Sequence, residues 1–241
     1  MEREFSSSER GEPSQGAPPK LVSLPNSFYA PSAESVAPSL LGHWLIRLTP
    51  EGPSGGLVVE AEAYLAEDPA CHAFRGETPR NRSMFGPPGR AYVYFIYGNH
   101  WCFNAVCRPA GVGEAVLVRA IEPCFGLPWM AARRPVVTPR DLTNGPAKLC
   151  AALDIDRRLD GANLCDDASP VFIARNPGRE EWLRTAGPIV VAARVGISRA
   201  ADAPLRFYVE GSGFVSRRLR PNKPKPAAAS ARARLKGMAR D

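Results

Sequence analysis

Strand-like segments follow one another along the first half of the chain, and this order is the strongest constraint on its fold. The side-chain pattern predicts strands at 44–49, 57–64, 91–97, 101–108 and 114–121. Helical patterns come later, at 125–134 and at 146–153, where Pro146 suits the first helical position. Two further strands are predicted at 188–195 and 205–210. Strands that neighbour one another, instead of alternating with helices, favour an α+β domain with an antiparallel sheet.

The two ends of the chain differ from its body in composition. Residues 1–24 are rich in Ser, Pro, Gly and charge, so we expect them to be disordered. Residues 25–216 form the predicted folded domain, in which 37–45 has the pattern of a short helix running into a strand. Residues 217–241 hold nine Lys/Arg and one Asp, and we expect a disordered basic tail. Such a tail can bind phosphate backbones without reading their sequence, or it can simply aid solubility.

Composition argues against several kinds of site. The six cysteines form no Cys-x-x-Cys pair and the three histidines have no ligand spacing, so we expect no metal site and no cofactor. No apolar run is long enough to span a bilayer, and the first residues lack the apolar segment of a secretory signal. We therefore expect an intracellular protein with no membrane partner.

The strand predicted at 57–64 carries two carboxylates on one face. Because side chains alternate along a strand, Glu60, Glu62 and Tyr64 share one side, opposite an apolar side that contains Val59 and Ala61. Taken alone, this pattern favours a solvated outer face of the sheet. A cleft becomes the better interpretation if aromatic strands face these groups.

An aromatic hairpin supplies such strands. The segment 91–97 contains three of the six tyrosines, and Gly98-Asn99 predicts a two-residue turn before His100 and Trp101. Aromatic residues at such a place commonly pack across strands within a core. They also suit insertion between bases or stacking on them.

Five motifs in a fixed order now resemble one family. The motifs are Val59-Glu60-Ala61-Glu62-Ala63-Tyr64, Thr78-Pro79-Arg80-Asn81-Arg82, Tyr92-Val93-Tyr94-Phe95-Ile96-Tyr97-Gly98, Arg119-Ala120-Ile121-Glu122-Pro123 and Ala193-Arg194-Val195-Gly196. Over roughly residues 22–216 the chain resembles the alkyladenine (3-methyladenine, or methylpurine) DNA glycosylase family. The resemblance implies a single α+β domain with a largely antiparallel, barrel-like β-sheet core, a protruding β-hairpin and surrounding helices.

The resemblance also implies a reaction. The family flips alkylated or deaminated purines out of duplex DNA, because the bond to be cut is blocked inside the base stack, and hydrolyses the N-glycosidic bond to leave an abasic site. The resemblance assigns Glu62 as general base for a water, which Arg119 and a backbone carbonyl near Val195 help to hold. No lysine matches a Schiff-base role, so we expect hydrolysis without strand cleavage.

Other positions match the family's base pocket. Tyr64, His72 and Tyr94 correspond to the walls that stack on the base, and electron-rich rings suit a cationic purine. Asn104 corresponds to an asparagine that crowds the guanine amino group and so excludes a normal base. Apart from the resemblance, His72 would be a structural histidine and Asn104 a cross-strand hydrogen-bond donor.

The remaining matches concern DNA. Tyr97 corresponds to the side chain that fills the gap left by the flipped nucleotide. Lys148, at a predicted helix start, suits a DNA phosphate, and Arg80 and Arg82 either do the same or pair with acids. The expected partner is double-stranded DNA with damaged purines, bound by a monomer. The alternatives are a non-catalytic reader of damaged bases and a binder of single-stranded RNA.

Overall fold

The longest strand lies at the centre of one antiparallel sheet. The structure is a computed structural model that describes residues 20–218. Its strands are β1 (Trp44–Thr49), β2 (Gly52–Tyr64), β3 (Ala91–Ile96), β4 (His100–Cys107), β5 (Glu114–Phe125), β6 (Val171–Ala174), β7 (Ile189–Ala192) and β8 (Arg206–Val209). They pair in the order β3-β4-β5-β2-β1-β6. In addition, β8 pairs with β2, and β7 pairs with β8. Every one of these pairings is antiparallel.

Helices cover this sheet. They are α1 (Asn26–Tyr29), α2 (Ala33–Leu40), α3 (Leu127–Arg133), α4 (Pro146–Ala152) and α5 (Arg179–Ala186), with three short 3-10 helices at Arg82–Phe85, Pro139–Leu142 and Arg157–Leu159. The Ser32 side chain accepts a hydrogen bond from the Ser35 amide at the start of α2, and Val36 and Leu40 of that helix enter the main core. The predicted single α+β domain with an antiparallel sheet core is confirmed.

β2 changes partners along its length, and this curls the sheet. Its first half pairs with β1 and its second half with β8, while β5 follows it along the other edge. The register against β5 shifts on both sides of Glu60, and such bulges bend a strand and redirect its side chains. Neighbouring strands come so close to β2 at Gly55 and Gly56 that only glycine fits there. An added Cβ would lie 1.9 Å from the Leu45 carbonyl oxygen at position 55 and 2.0 Å from the Glu122 carbonyl oxygen at position 56.

Several predicted bounds were wrong. The Gly98-Asn99 turn is a three-residue loop, since Ile96 pairs with His100 and Tyr97 has a left-handed backbone, φ 55°. β5 runs on to Phe125, opposite Gly55, so the helix predicted from 125 begins at Leu127. The helix predicted from 37 begins at Ala33. β6 and α5 were not predicted at all, because one has four residues and the other has none that is fully buried.

The ends of the described chain pack against the sheet. Leu24 is fully buried and its amide donates to the Ile173 carbonyl at 2.9 Å. The packed part of the chain therefore begins before residue 25. Residues 1–19 of the predicted N-terminal segment and 219–241 of the predicted tail lie outside the described residues. Within the described part, no helix is both long and apolar enough to cross a membrane.

Candidate active site

The two carboxylates of β2 lie inside the molecule. Glu60 and Glu62 are both 0% exposed, so the interpretation of their face as a solvated outer surface was wrong. The reason is tertiary: the Arg206 side chain of β8, the Val195 segment and Ser216 cover this side of β2. A buried carboxylate needs charged or hydrogen-bonding partners to offset its lost hydration, and both residues have them.

Glu62 joins three of the residues singled out by the sequence. Its Oε1 accepts a hydrogen bond from the Val195 amide at 2.7 Å. Its Oε2 accepts one from Arg119 Nη1 at 3.2 Å and one from the Tyr64 hydroxyl at 3.1 Å. Val195 and Glu62 are 133 residues apart in the chain, so the fold itself creates this cluster.

Glu60 has a different set of partners. Its Oε1 accepts from Arg119 Nε at 2.9 Å, Arg206 Nε at 2.7 Å and Ser216 Oγ at 2.9 Å, and its Oε2 accepts from the Ser216 amide at 2.6 Å. The sequence pattern presented the two carboxylates alike. The structure shows that their surroundings differ. The hydrogen-bond partners of Glu62 line a cavity, whereas Glu60 accepts four hydrogen bonds from groups within the protein.

The guanidinium of Arg119 lies between the two carboxylates. Burial lowers its pKa, but the charges of Glu62 and Glu60 outweigh that effect and raise the pKa above the ordinary value. Burial, together with the nearby charge of Glu62, also raises the pKa of the Tyr64 phenol. Arg119 is therefore a permanent cation and Tyr64 a neutral donor at neutral pH.

A largely apolar cavity of about 280 Å³ adjoins this cluster. Seven sequence-predicted residues line it, namely Tyr64, His72, Tyr94, Tyr97, Asn104, Arg119 and Val195. The other lining residues include Met84, Tyr92, Leu117 and Ile197, which sequence reasoning did not assign to the site. Ligand sites commonly measure about 300–1,000 Å³, so this cavity suits a single small ring system.

His72 is fixed against the aromatic strand β3. Its Nδ1 lies 2.9 Å from the Tyr92 hydroxyl, and its ring meets the Tyr94 ring edge-on with centroids 4.5 Å apart. Burial, with the nearby charge of Arg80, lowers the pKa of His72. The imidazole is therefore neutral at neutral pH. Tyr92 was a missed site residue, although it stands in the same aromatic run as Tyr94.

Asn104 makes the cross-strand hydrogen bond considered for it from the sequence and also lies at the cavity. It is buried, and its Nδ2 donates to the Tyr92 carbonyl at 2.9 Å across the β3–β4 pair. It also lines the cavity. The cross-strand hydrogen bond fixes the amide, so a ligand in the cavity meets a side chain with one orientation.

The hairpin tip lies at the open side of the cavity. Tyr97 is 78% exposed, yet Tyr97 and His100 both line the cavity. Behind the tip, Phe95 and Trp101 pair across the strands with ring centroids 4.8 Å apart. This pair stiffens a hairpin whose last aromatic residue is left facing solvent.

The three predicted phosphate ligands lie outside the cavity and have partners in the protein. Arg80 Nη2 donates to the Phe95 carbonyl at 2.9 Å. The exposed Arg82 pairs with Glu77 at 3.3 Å, and Lys148 contacts Asp141 at 3.0 Å. Exposed ion pairs contribute only about 0–1 kcal/mol, so these two pairs add little to the stability of the fold.

Arg194 is a residue whose place sequence reasoning missed. Its side chain is buried, pairs with Asp68, donates to the Ala63 carbonyl at 3.0 Å, and lies 4.7 Å from the centre of the Tyr64 ring. These contacts hold the segment before Val195 against β2. Its position inside the fifth motif was a usable signal, whereas nothing in the sequence pointed to Asp68.

Comparison with known proteins identifies relatives across nearly all of the described chain. The family model described as methylpurine-DNA glycosylase matches residues 27–213. A Methanoculleus marisnigri protein named "Putative 3-methyladenine DNA glycosylase" is 50% identical over 197 residues, which cover 82% of this chain and 100% of the relative. Proteins of the same name from Agrobacterium fabrum and Carboxydothermus hydrogenoformans are 47% identical over 200 residues and 44% identical over 195. These alignments cover 83% and 81% of this chain, and 95% and 99% of the relatives.

Proposed function

This chain belongs to the methylpurine-DNA glycosylase family, and from that premise we propose that it removes alkylated or deaminated purines from duplex DNA by simple hydrolysis. The candidate bases are 3-methyladenine, 7-methylguanine, hypoxanthine and ethenoadenine. One observation carries the proposal: the buried carboxylate Glu62 is held by Arg119, Tyr64 and Val195, all of which line an aromatic cavity.

The substrate nucleotide leaves the helix before reaction. The bond to the sugar is inaccessible in a stacked duplex, so the base enters the cavity while its sugar remains near Glu62. The exposed ring of Tyr97 fills the space that the nucleotide leaves in the stack. Arg80, Arg82 and Lys148 bind backbone phosphates around the opening by exchanging their present partners for phosphate oxygens.

Glu62 then acts as the general base. A water held by Glu62, Arg119 and the Val195 carbonyl attacks the anomeric carbon, Glu62 accepts its proton, and the bond electrons leave with the purine. A cationic purine leaves as a neutral base, whereas a neutral purine also takes up a proton from water. The products are a free base and an abasic site, with the phosphodiester chain intact. General-base catalysis contributes about 10²- to 10⁴-fold, and the carboxylate also stabilises the positive charge that develops on the sugar.

The cavity favours a cationic or modified base. Tyr64, Tyr94 and the neutral His72 present electron-rich rings, and cation–π attraction is worth about 0.5–2 kcal/mol for a positively charged purine. The fixed Asn104 amide crowds the amino group of normal guanine. The lesion contributes as well, since its positive charge already weakens the bond to the sugar.

Base release from defined duplexes tests the proposal. Four oligonucleotide duplexes, each with one of the candidate lesions, are incubated with the full chain, and alkali then cleaves the strand at any abasic site. We expect cleavage that needs both enzyme and alkali. Tight binding of a lesion without base release would instead favour the non-catalytic reader, and cleavage without alkali would contradict simple hydrolysis.

A further inference from the structure

Arg119 is held at all three of its guanidinium nitrogens. Its Nη1 donates to Glu62 at 3.2 Å, its Nε to Glu60 at 2.9 Å and its Nη2 to Ser216 Oγ at 3.3 Å. A guanidinium is planar with donors in fixed directions, so two of these bonds determine where the third donor points. The direction of Nη1 toward Glu62 is therefore set by Glu60 and Ser216.

Glu60 itself has no access to a bound base. It is fully buried, all its contacts are to protein donors, and it is not among the residues that line the cavity. Among the described residues, Arg119 is the side chain that donates to both Glu60 and Glu62. Burying a carboxylate is costly, and replacing a buried ion pair by apolar groups is often neutral or stabilising, so stability alone is a weak reason for this residue.

Arg206 supplies the balancing charge. Its Nε lies 2.7 Å from the same Glu60 oxygen that Arg119 contacts, and it is 2% exposed. Two carboxylates and two guanidinium groups thus form one buried network with no net charge. Because Arg206 neutralises Glu60, the charge of Arg119 stays available to Glu62 and to the attacking water.

Ser216 brings the end of the described chain into this network. Its amide and its hydroxyl both donate to Glu60, at 2.6 and 2.9 Å, and the hydroxyl also accepts from Arg119. The residue lies beyond β8, 97 positions after Arg119 in the chain. Ser216, near the end of the described chain, therefore contacts both Arg119 and Glu60.

We propose that Glu60, with Arg206 and Ser216, is a positioning residue for the excision step and acts through Arg119 on Glu62. The inference rests on the proposed function. It predicts that weakening this network slows the chemical step without weakening the binding of damaged DNA, since none of the three residues lines the cavity.

Single-turnover excision at saturating enzyme tests the inference. The full chain and its variants act on a duplex with one ethenoadenine, and the dissociation constant for the same duplex is measured separately. For Glu60→Gln we expect excision about 10- to 100-fold slower, as for the loss of a charge-assisted hydrogen bond, with unchanged binding. Ser216→Ala, which keeps the backbone donor, should slow excision about 3- to 10-fold, and Ser216→Thr should restore the rate.

Two controls separate positioning from general damage. Glu114→Gln alters another buried carboxylate, one that accepts from the Ala33 amide far from this network, and should leave the excision rate of the folded protein unchanged. In an Arg119→Ala background, Glu60→Gln and Ser216→Ala should have no further effect on the rate, because the residue through which they act is gone. A merely structural defect would slow excision equally in both backgrounds.

The outcomes also separate this inference from the proposed function. If Glu62→Gln abolishes excision while Ser216→Ala and Glu60→Gln excise at the normal rate, the positioning role is overturned and the function stands. If Glu62→Gln excises normally, the proposed mechanism itself is wrong. If Glu60→Gln does not fold, Ser216→Ala against Ser216→Thr decides the question alone.

Discussion

The centre of β2 and the tip of the β3–β4 hairpin are opposite kinds of environment within one sheet. At the centre, Glu60, Glu62, Arg119 and Arg206 are at most 6% exposed, and partners from distant parts of the chain hold them. At the tip, Tyr97 is 78% exposed and depends on its own turn, with a left-handed backbone. The cavity connects the two regions, since Arg119 and Tyr97 both line it.

The difference suits the roles proposed for the two regions. Charges that act on a reacting bond are most effective when they are fixed in advance and shielded from water. A side chain that enters a base stack has to remain exposed until the DNA arrives. Changes at the centre should therefore impair chemistry, and changes at the tip should impair retention of the extruded nucleotide.

Glu62→Gln should give the largest effect, at the centre. The amide keeps the shape of the side chain but cannot accept the proton, so excision should fall by about 10²- to 10⁴-fold while lesion binding survives. Single-turnover base release and a binding titration measure the two quantities. The matched control is Glu67→Gln, an exposed carboxylate just beyond the end of β2, which should behave as wild type. Near-normal release by Glu62→Gln would remove this residue from its role.

Tyr97→Ser should give the next largest effect, and at the tip. Stacking of one aromatic ring is worth about 1–3 kcal/mol, so retention of the flipped nucleotide should weaken about 5- to 150-fold. The melting temperature should barely change, because the side chain is exposed. Tyr97→Phe keeps the ring and serves as the control.

A single-stranded substrate sharpens the comparison at the tip. No gap has to be filled there, so the loss caused by Tyr97→Ser should shrink. An equal loss on single-stranded and duplex substrates would indicate a role in the pocket or in folding instead.

Protonation of His72, which lines the cavity between the two regions, should have a smaller effect, on the preference between cationic and neutral bases. Its lowered pKa keeps it neutral at pH 7, and it gains a positive charge only as the pH falls below the ordinary value of about 6.5. That charge opposes a cationic base more than a neutral one. The ratio of kcat/KM for 7-methylguanine to that for ethenoadenine should therefore fall in acid, by about 2- to 30-fold.

The ratio of the two kcat/KM values cancels pH effects that are common to both substrates. His72→Phe, which keeps an aromatic ring but cannot titrate, should give a ratio independent of pH. A ratio that changes equally with pH in the variant and the wild type would assign the effect to another group.

Removal of residues 219–241 should have the smallest effect on excision. These residues hold seven Lys/Arg and one Asp, and the cut spares Arg218, whose side chain donates to the Ser212 carbonyl at 2.7 Å. Non-specific DNA binding should become less salt-dependent, by about 0.9 in the log–log slope for each phosphate no longer contacted. Single-turnover excision at saturating enzyme should hardly change. An unchanged slope would mean that the tail only aids solubility.

Much of the sheet was predictable from local pattern. β1 was predicted at its observed bounds, and α4 to within one residue, because a short apolar periodicity and Pro146 carry enough information. The hairpin was found, but its loop length was not, since a tyrosine with positive φ is uncommon and no local rule anticipates it. α5 was missed because no residue of it is fully buried, and its apolar contacts to the core come from the half-buried Trp182, Leu183 and Ala186.

The residues of the candidate site also fall into two groups, those that the sequence identified and those that it missed. The motifs, with the help of a family resemblance, selected the seven predicted residues that line the cavity and indicated Glu62 beside them. They left Tyr92, Arg194 and Asp68 without a role, and gave no hint that Ser216 meets Arg119. Contacts such as that between Arg206 and Glu60 join residues 146 positions apart, and no sequence window spans them.

The sequence by itself determined the order of seven of the eight described strands, the aromatic hairpin and the alternation that puts Glu60 and Glu62 on one face of β2. Only the tertiary structure decided that this face is buried, that Glu60 is saturated by donors and that Glu62 adjoins the cavity. The physical reason is that alternation depends on the backbone of one strand, whereas burial depends on what packs against it. Here the Arg206 side chain of β8, the Val195 segment and Ser216 cover the carboxylates, and they come from the far end of the described chain.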